Sequence, residues 1–138
     1  MVLVEKEWVS FGHKFQDRLG WSHDSGVKDD KEVSPIFVQW LDCVHQCVHQ
    51  NPNDFEFNQE MILFVAKQVH SGFFSNFLFN CEKDAAKHRS QLSMVSVWTA
   101  VFSNLKTYTN RGYQVNLGLS VPVVLRQNIV LWNGYVLM

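Results

Sequence analysis

Apolar residues recur at helical spacing in four segments of this chain, at about residues 2–18, 34–48, 58–70 and 93–107. Ser34 and Pro35 open the second segment as N-cap and first helical residue, and Asn58 caps the third, which Gly72 ends. The pattern therefore predicts a mainly helical chain. The predicted inward faces consist of Ile36, Phe37, Trp40, Leu41, Val44 and Val48, then Met61, Ile62, Phe64, Val65 and Val69, then Val97, Trp98, Val101, Phe102 and Leu105.

Polar or ambiguous stretches separate these helices. Residues 20–33 are rich in Ser, Asp, Gly and Lys and are predicted to form a surface loop, while residues 51–54 break the second helix at a proline. Residues 82–91 are strongly polar and are expected to be exposed. The run at residues 73–79 fits either a strand or a buried turn, because a short apolar run has no decisive periodicity. A last short helix is predicted at residues 127–135.

The composition limits the classes of protein to consider. With 138 residues, 46% of them hydrophobic, the chain has the size of one globular domain. Eleven Phe and five Trp indicate a ring-rich core, or part of a larger core whose partner surface lies elsewhere. The formal net charge of -1 provides no overall attraction to nucleic acid, so no nucleic-acid partner is expected. Any anion site must be local.

Cysteine usage and the first residues indicate a reduced, cytoplasmic setting. Cys43, Cys47 and Cys81 cannot all pair within one chain. Glu5 interrupts the opening apolar run, which leaves it too short for a signal peptide. No apolar stretch reaches the roughly 18 residues that a membrane span needs, so any membrane contact is expected at the surface.

Cys43, His45, Cys47 and His49 are four side chains of the types that bind zinc. On a helix the cysteines lie on one side and the histidines roughly 200° around from it. On a strand the four share a face but span about 20 Å, too far for one ion. Neither geometry supports a metal site, and no metal or other cofactor is expected.

No complete catalytic apparatus is recognisable in the sequence. A cysteine phosphatase needs a thiolate with an Arg six positions later to hold the phosphoryl oxygens. Six positions after the three cysteines stand His49, Asn53 and Lys87 instead. Glycine-rich nucleotide loops and a serine-nucleophile elbow are also absent from the sequence. No catalytic residue is therefore assigned.

A basic cluster near the start is the strongest candidate for binding chemistry. If the chain is helical around residue 14, Lys14 and Arg18 lie on one face, four residues apart, with His13 beside them. Two cations so placed can grip one phosphorylated group. Alternatively, Asp17 pairs with Lys14 and the charges form only a solvated face. Gly12 is expected to loosen the helix just before the cluster.

Several blocks of residues, spread in order across the chain, carry a family resemblance. The blocks are Val2-Leu3-Val4-Glu5-Lys6-Glu7-Trp8 continuing through Ser10-Phe11-Gly12-His13-Lys14-Phe15 to Arg18; Ser34-Pro35-Ile36-Phe37-Val38-Gln39-Trp40-Leu41-Asp42-Cys43-Val44; Phe55-Glu56-Phe57-Asn58; Phe77-Leu78-Phe79-Asn80-Cys81-Glu82; Ser96-Val97-Trp98; and Leu131-Trp132 with Tyr135. In this order they resemble the myotubularin family of phosphoinositide 3-phosphatases, in which the first block follows the catalytic loop.

This resemblance implies a fold and an activity. Residues 1–138 are expected to be a partial myotubularin-type phosphatase domain, the helical C-terminal portion of an α/β cysteine-phosphatase (protein-tyrosine-phosphatase-like) domain. The family's Cys-x5-Arg loop lies upstream of the first block, so this chain is expected to lack it and to be inactive alone. The complete domain is expected to remove the 3-phosphate from phosphatidylinositol 3-phosphate and phosphatidylinositol 3,5-bisphosphate. Whether this chain itself acts as an enzyme stays open.

The resemblance also assigns site residues and partners. Lys14 and Arg18 match two positions whose basic side chains help to bind the phosphates of the substrate headgroup. A guanidinium fork suits bidentate contact with phosphate, whereas an ammonium acts as a point charge. The expected partners are a phosphoinositide headgroup, a peripheral membrane surface and a second protein of the family. The implied location is cytoplasmic, at the periphery of endosomal membranes.

The sequence departs from the family pattern at several places, and a second function stays open beside the first. Trp21 stands after Gly20 where the family often has His, and Arg111 follows Asn110 where it usually has Pro. The alternative function is a non-catalytic, pseudophosphatase-like module that binds phosphoinositides or a family partner. In either case, helices that pack against a sheet in the family are expected to leave apolar surface exposed here and to favour aggregation.

Overall fold

The computed structural model describes residues 1–21, 31–88 and 95–137 of the chain. These residues fall into two compact units, the first formed by Met1–Ile36 and Gln68–Ala100 and the second by Phe37–Lys67 and Val101–Met138. The structure is mainly helical, which confirms the predicted fold class. The middle of the predicted surface loop, residues 22–30, lies outside the described residues.

The predicted first helix is interrupted, so a single helix over residues 2–18 is wrong. Helix α1 (Val2–Val4) widens into a π-helix (Glu5–Ser10), in which the N–H of His13 donates to the carbonyl of Trp8 at 2.9 Å, five residues back. Helix α2 (Phe15–Arg18) is separate. The break falls at Gly12, whose φ of 93° lies in the left-handed region that favours glycine. The expected loosening at Gly12 is confirmed.

The open choice at residues 73–79 resolves as a turn. A 3₁₀ turn (Ser75–Phe77) buries Phe77, whose side chain is 1% exposed. Phe74 makes one isolated parallel bridge with Val95. Helix α5 (Glu82–His88) follows and is largely exposed over the residues described, as its polar composition predicts, although a helix was not expected there.

The first unit also contains a largely buried polar network. The carboxylate of Glu5 accepts hydrogen bonds from the Asn76 side chain at 2.7 Å and from the indole of Trp98 at 2.5 Å. The amide oxygen of Asn76 accepts from the backbone N–H of Val97 at 2.8 Å. Asn76 and Trp98 are both buried. A buried polar group without a hydrogen bond destabilises the fold by about 1–3 kcal/mol, so each of these bonds removes such a penalty.

The second predicted helix is observed as α3 (Ile36–Gln50), which begins one residue after Pro35. The third is α4 (Gln59–Val69), and its predicted cap is confirmed, because the Asn58 side chain accepts a hydrogen bond from the N–H of Met61 at 3.2 Å. Ile36 is 42% exposed, so its assignment to the inward face of α3 is wrong. The buried residues of the two helices are Phe37, Val38, Leu41, His45, Val48, Ile62, Val65, Ala66 and Val69.

The fourth predicted helix is shorter than residues 93–107. Residues 93 and 94 lie outside the described residues, and the chain forms α6 (Val97–Ser103) and then α7 (Leu105–Tyr108). Asn104, with ψ of 32°, interrupts the helical backbone between them. Phe102 and Leu105 are more than half exposed, which contradicts their assignment to the inward face.

The connector after α7 is fastened to the loop before α4 within the second unit. Phe57 and Thr109 form an antiparallel bridge. The side-chain amide of Asn110 donates to the carbonyls of Pro52 and Phe55 at 2.6 and 2.8 Å. This connector is therefore held in place by hydrogen bonds to residues more than 50 positions earlier in the chain.

The last part of the chain has little regular structure. A 3₁₀ turn (Arg126–Asn128) and helix α8 (Asn133–Val136) replace the single short helix predicted at residues 127–135. Many apolar side chains here are about half exposed or more, in agreement with the expected unfilled apolar surface. They are Val115, Leu117, Leu119, Val121, Val123, Val124, Leu125, Ile129, Leu131, Val136 and Leu137.

None of the helices within the described ranges is long and apolar enough to cross a membrane.

Candidate phosphate-binding site

Helix α2 places the two candidate cations one turn apart. The N–H of Arg18 donates to the carbonyl of Lys14 at 2.9 Å, so the four-residue spacing corresponds to one helical hydrogen bond. Lys14 itself precedes the helix, with φ of -77° and ψ of 67°. The chain is therefore helical only from Phe15 onward, and the predicted helix around residue 14 is found on its C-terminal side alone.

Phe15 anchors this short helix in the core of the first unit. Its side chain is 1% exposed, and its ring contacts those of His13 and Phe77 at centroid distances of 4.6 and 5.3 Å. A four-residue helix has little stability of its own. The burial of Phe15 therefore fixes the backbone that carries Lys14 and Arg18.

Arg18 is paired with Glu32. Its Nη1 atom donates to the Glu32 carbonyl at 2.9 Å and lies 3.0 Å from a carboxylate oxygen of the same residue, as an ion pair. A backbone bond from Ser34 N–H to the Arg18 carbonyl, 3.0 Å, runs alongside. Among the residues that the structure describes, Nε and Nη2 of Arg18 make no hydrogen bond. These two nitrogens form one planar edge of the kind that holds two oxygens of a phosphate, and no residue that the structure describes forms a hydrogen bond with it.

Lys14 pairs with Asp17, as one reading of the sequence predicted. The distance from Lys14 Nζ to Asp17 Oδ2 is 3.9 Å, and the lysine side chain is 61% exposed. Asn80 fixes Asp17, because its amide donates to Asp17 Oδ1 at 2.9 Å and its carbonyl oxygen accepts from the Asp17 N–H at 3.1 Å. Among the residues that the structure describes, the ammonium group is held by this ion pair alone, and an exposed pair at this distance contributes about 0–1 kcal/mol.

His13 lies beside the cations but is tied to the apolar side of the segment. Its ring packs edge-on against Trp8 at 4.9 Å and against Phe15. Burial, with a smaller contribution from the charge of Arg18, lowers the pKa of the His13 imidazole. At pH 7 the ring therefore carries less positive charge than an ordinary imidazole and adds little to the charge of the cluster.

Two partners of this site could not be found from the sequence. Glu32 lies 14 residues from Arg18, and Asn80 lies 63 residues from Asp17. Helical spacing identifies neighbours only three or four residues apart, so neither contact leaves a periodic signal. The structure thus presents two cations one turn apart at the backbone, each paired with a different carboxylate.

The other candidate chemistry lies on α3. His45 is buried and its ring stacks on that of Trp132 at 5.0 Å, and burial lowers the pKa of its imidazole. Burial also raises the pKa of the Cys47 thiol, which disfavours the reactive thiolate. Within the described residues no group of three or more His, Cys, Asp or Glu side chains is arranged to hold a metal ion, and the three cysteines are free thiols.

Comparison with known proteins decides the family. The sequence model of the myotubularin-like phosphatase domain matches residues 1–86. The chain belongs to the myotubularin-like phosphatase family. Myotubularin of Xenopus tropicalis is 39% identical over 135 residues, which are 97% of this chain and 22% of that protein.

Two further relatives carry a substrate in their names. Phosphatidylinositol-3,5-bisphosphate 3-phosphatase MTMR6 of Rattus norvegicus is 44% identical over 113 residues, covering 82% of this chain and 17% of that protein. Phosphatidylinositol-3,5-bisphosphate 3-phosphatase MTMR2 of Mus musculus is 38% identical over 135 residues, covering 97% and 21%. This myotubularin-family chain spans about a fifth of the length of these curated relatives.

Proposed function

We propose that this chain contributes the phosphate-binding cations Lys14 and Arg18 to a myotubularin-type phosphoinositide 3-phosphatase domain, of which residues 1–138 form a part. The observation that carries the proposal is the Nε and Nη2 edge of Arg18, free within the described residues, one turn from an exposed ammonium group. Two relatives named as phosphatidylinositol-3,5-bisphosphate 3-phosphatases support the ligand class. The proposed substrates are phosphatidylinositol 3-phosphate and phosphatidylinositol 3,5-bisphosphate.

The chain alone is proposed to be catalytically inactive. No Cys in it is followed six positions later by Arg, so it supplies no thiolate on a phosphate-gripping loop. Burial raises the pKa of the Cys47 thiol, opposite to what a nucleophile requires. The family also suggests the cytoplasmic face of endosomal membranes as the place where the complete domain acts, with a second family member as a partner.

Vesicle binding tests the role of the two cations. The chain is sedimented with vesicles of neutral lipid that contain phosphatidylinositol 3,5-bisphosphate, and the double variant Lys14→Ala plus Arg18→Ala is compared with wild type. We expect at least about a tenfold loss of binding, because each charge-assisted bond to phosphate contributes about 1.5–3 kcal/mol. A phosphate-release assay on the same vesicles should remain at background.

A matched control separates a specific site from general charge. Lys6→Ala plus Lys83→Ala also removes two positive charges, but from other exposed positions of the first unit. We expect this control to bind vesicles as wild type does, within about twofold. Equal losses of vesicle binding in the two double variants would disprove the site. The proposed inactivity would be disproved if the wild-type chain released phosphate and the Lys14→Ala plus Arg18→Ala variant did not.

A further inference from the structure

We propose that Glu32 is an internal counter-ion that limits how tightly Arg18 binds a phosphate group. The inference rests on the proposed function of Arg18. Nη1 of Arg18 donates to the Glu32 carbonyl at 2.9 Å and forms an ion pair with the Glu32 carboxylate, whose oxygen is 3.0 Å away. A phosphate that binds the Nε and Nη2 edge therefore meets a guanidinium group whose positive charge is already partly neutralised by the Glu32 carboxylate.

Glu32 is the adjustable one of the two carboxylates in the cluster. Asp17 is fixed by two hydrogen bonds to Asn80, at 2.9 and 3.1 Å, and its place depends on the fold. The side chain of Glu32 is 52% exposed. Its carboxylate can rotate into solvent at small cost when a phosphate arrives, because an exposed ion pair contributes about 0–1 kcal/mol.

The charge balance of the cluster explains why one carboxylate matters. Lys14 and Arg18 carry two positive charges, and their partners Asp17 and Glu32 carry two negative charges. The paired cluster has no net charge to attract an anion from a distance. Removal of the Glu32 charge leaves the cluster with a net positive charge, while the backbone carbonyl of residue 32 still holds Nη1 of Arg18.

Titration of the soluble headgroup inositol 1,3,5-trisphosphate into the chain, followed by isothermal calorimetry, tests this inference. We expect Glu32→Gln and Glu32→Ala to bind about twofold to fivefold more tightly than wild type at low salt, and the gain to shrink at high salt. Glu7→Gln is the matched control, since Glu7 is an exposed carboxylate whose partner is Lys6, 3.5 Å away. It should bind as wild type does.

The outcomes separate this inference from the proposed function. Unchanged affinity in both Glu32 variants would overturn the inference. Weaker binding by Glu32→Ala with normal binding by Glu32→Gln would also overturn it, because that pattern is expected of a residue that only positions Arg18. In both of these cases the proposed function stands if Arg18→Ala loses binding. Wild-type affinity in Arg18→Ala would overturn the two together.

Discussion

Replacement of Phe15 by Ala is the sharpest test of how the fold supports the site. The side chain is 1% exposed, whereas that of Phe11, four residues earlier, is 84% exposed. Truncation of a fully buried Phe costs about 3–5 kcal/mol in transfer free energy and residual cavity, while the same change at an exposed position stays within about 0.5 kcal/mol. Phe11→Ala is therefore a control with identical chemistry.

Urea unfolding followed by tryptophan fluorescence measures the difference. We expect Phe15→Ala to lower the free energy of unfolding by about 3 kcal/mol more than Phe11→Ala, which is roughly a hundredfold in the folding equilibrium. Near-equal effects of the two substitutions, or a loss below about 1 kcal/mol for Phe15→Ala, would show that α2 is not anchored as the structure indicates.

Two further predictions concern Asn76 and His13, polar residues of the first unit. Asn76→Ala removes the donor to Glu5 and the acceptor of the Val97 N–H, so the free energy of unfolding should fall by about 2–4 kcal/mol in the same urea assay; a loss below about 1 kcal/mol would contradict this network. His13 has a lowered pKa, so the unfolded chain binds more protons between the folded pKa and the ordinary value of 6.5. The contribution of His13 to stability is therefore complete above that ordinary value and is lost as pH falls through the folded pKa. An NMR titration of its ring protons with a midpoint at or above 6.5 would refute the lowered pKa.

Local signals in the sequence predicted the parts of the fold that local interactions determine. The proline at residue 35, the Asn58 cap and the break at Gly12 each act within a few residues, and each is found close to its predicted place. The helical face of α4 follows from apolar periodicity for the same reason, with Ile62 and Val65 buried.

The remaining features depend on contacts between distant residues. Phe102 fits the apolar face of a helix by spacing, yet it is 56% exposed, because periodicity does not show which part of a face has a partner. The same limit applies to the site. The spacing of Lys14 and Arg18 indicates two cations, but only the fold shows that Glu32 and Asn80 reach the cluster.

A titration of the isotopically labelled chain with inositol 1,3-bisphosphate, followed by two-dimensional proton–nitrogen NMR, tests the central claim most directly. We predict saturable shifts of the backbone amides of residues 14–18 and of the Arg18 Nε–H signal, and their loss in Lys14→Ala plus Arg18→Ala. Saturable shifts confined to other residues, or shifts that persist in the double variant, would contradict a phosphate site at Lys14 and Arg18.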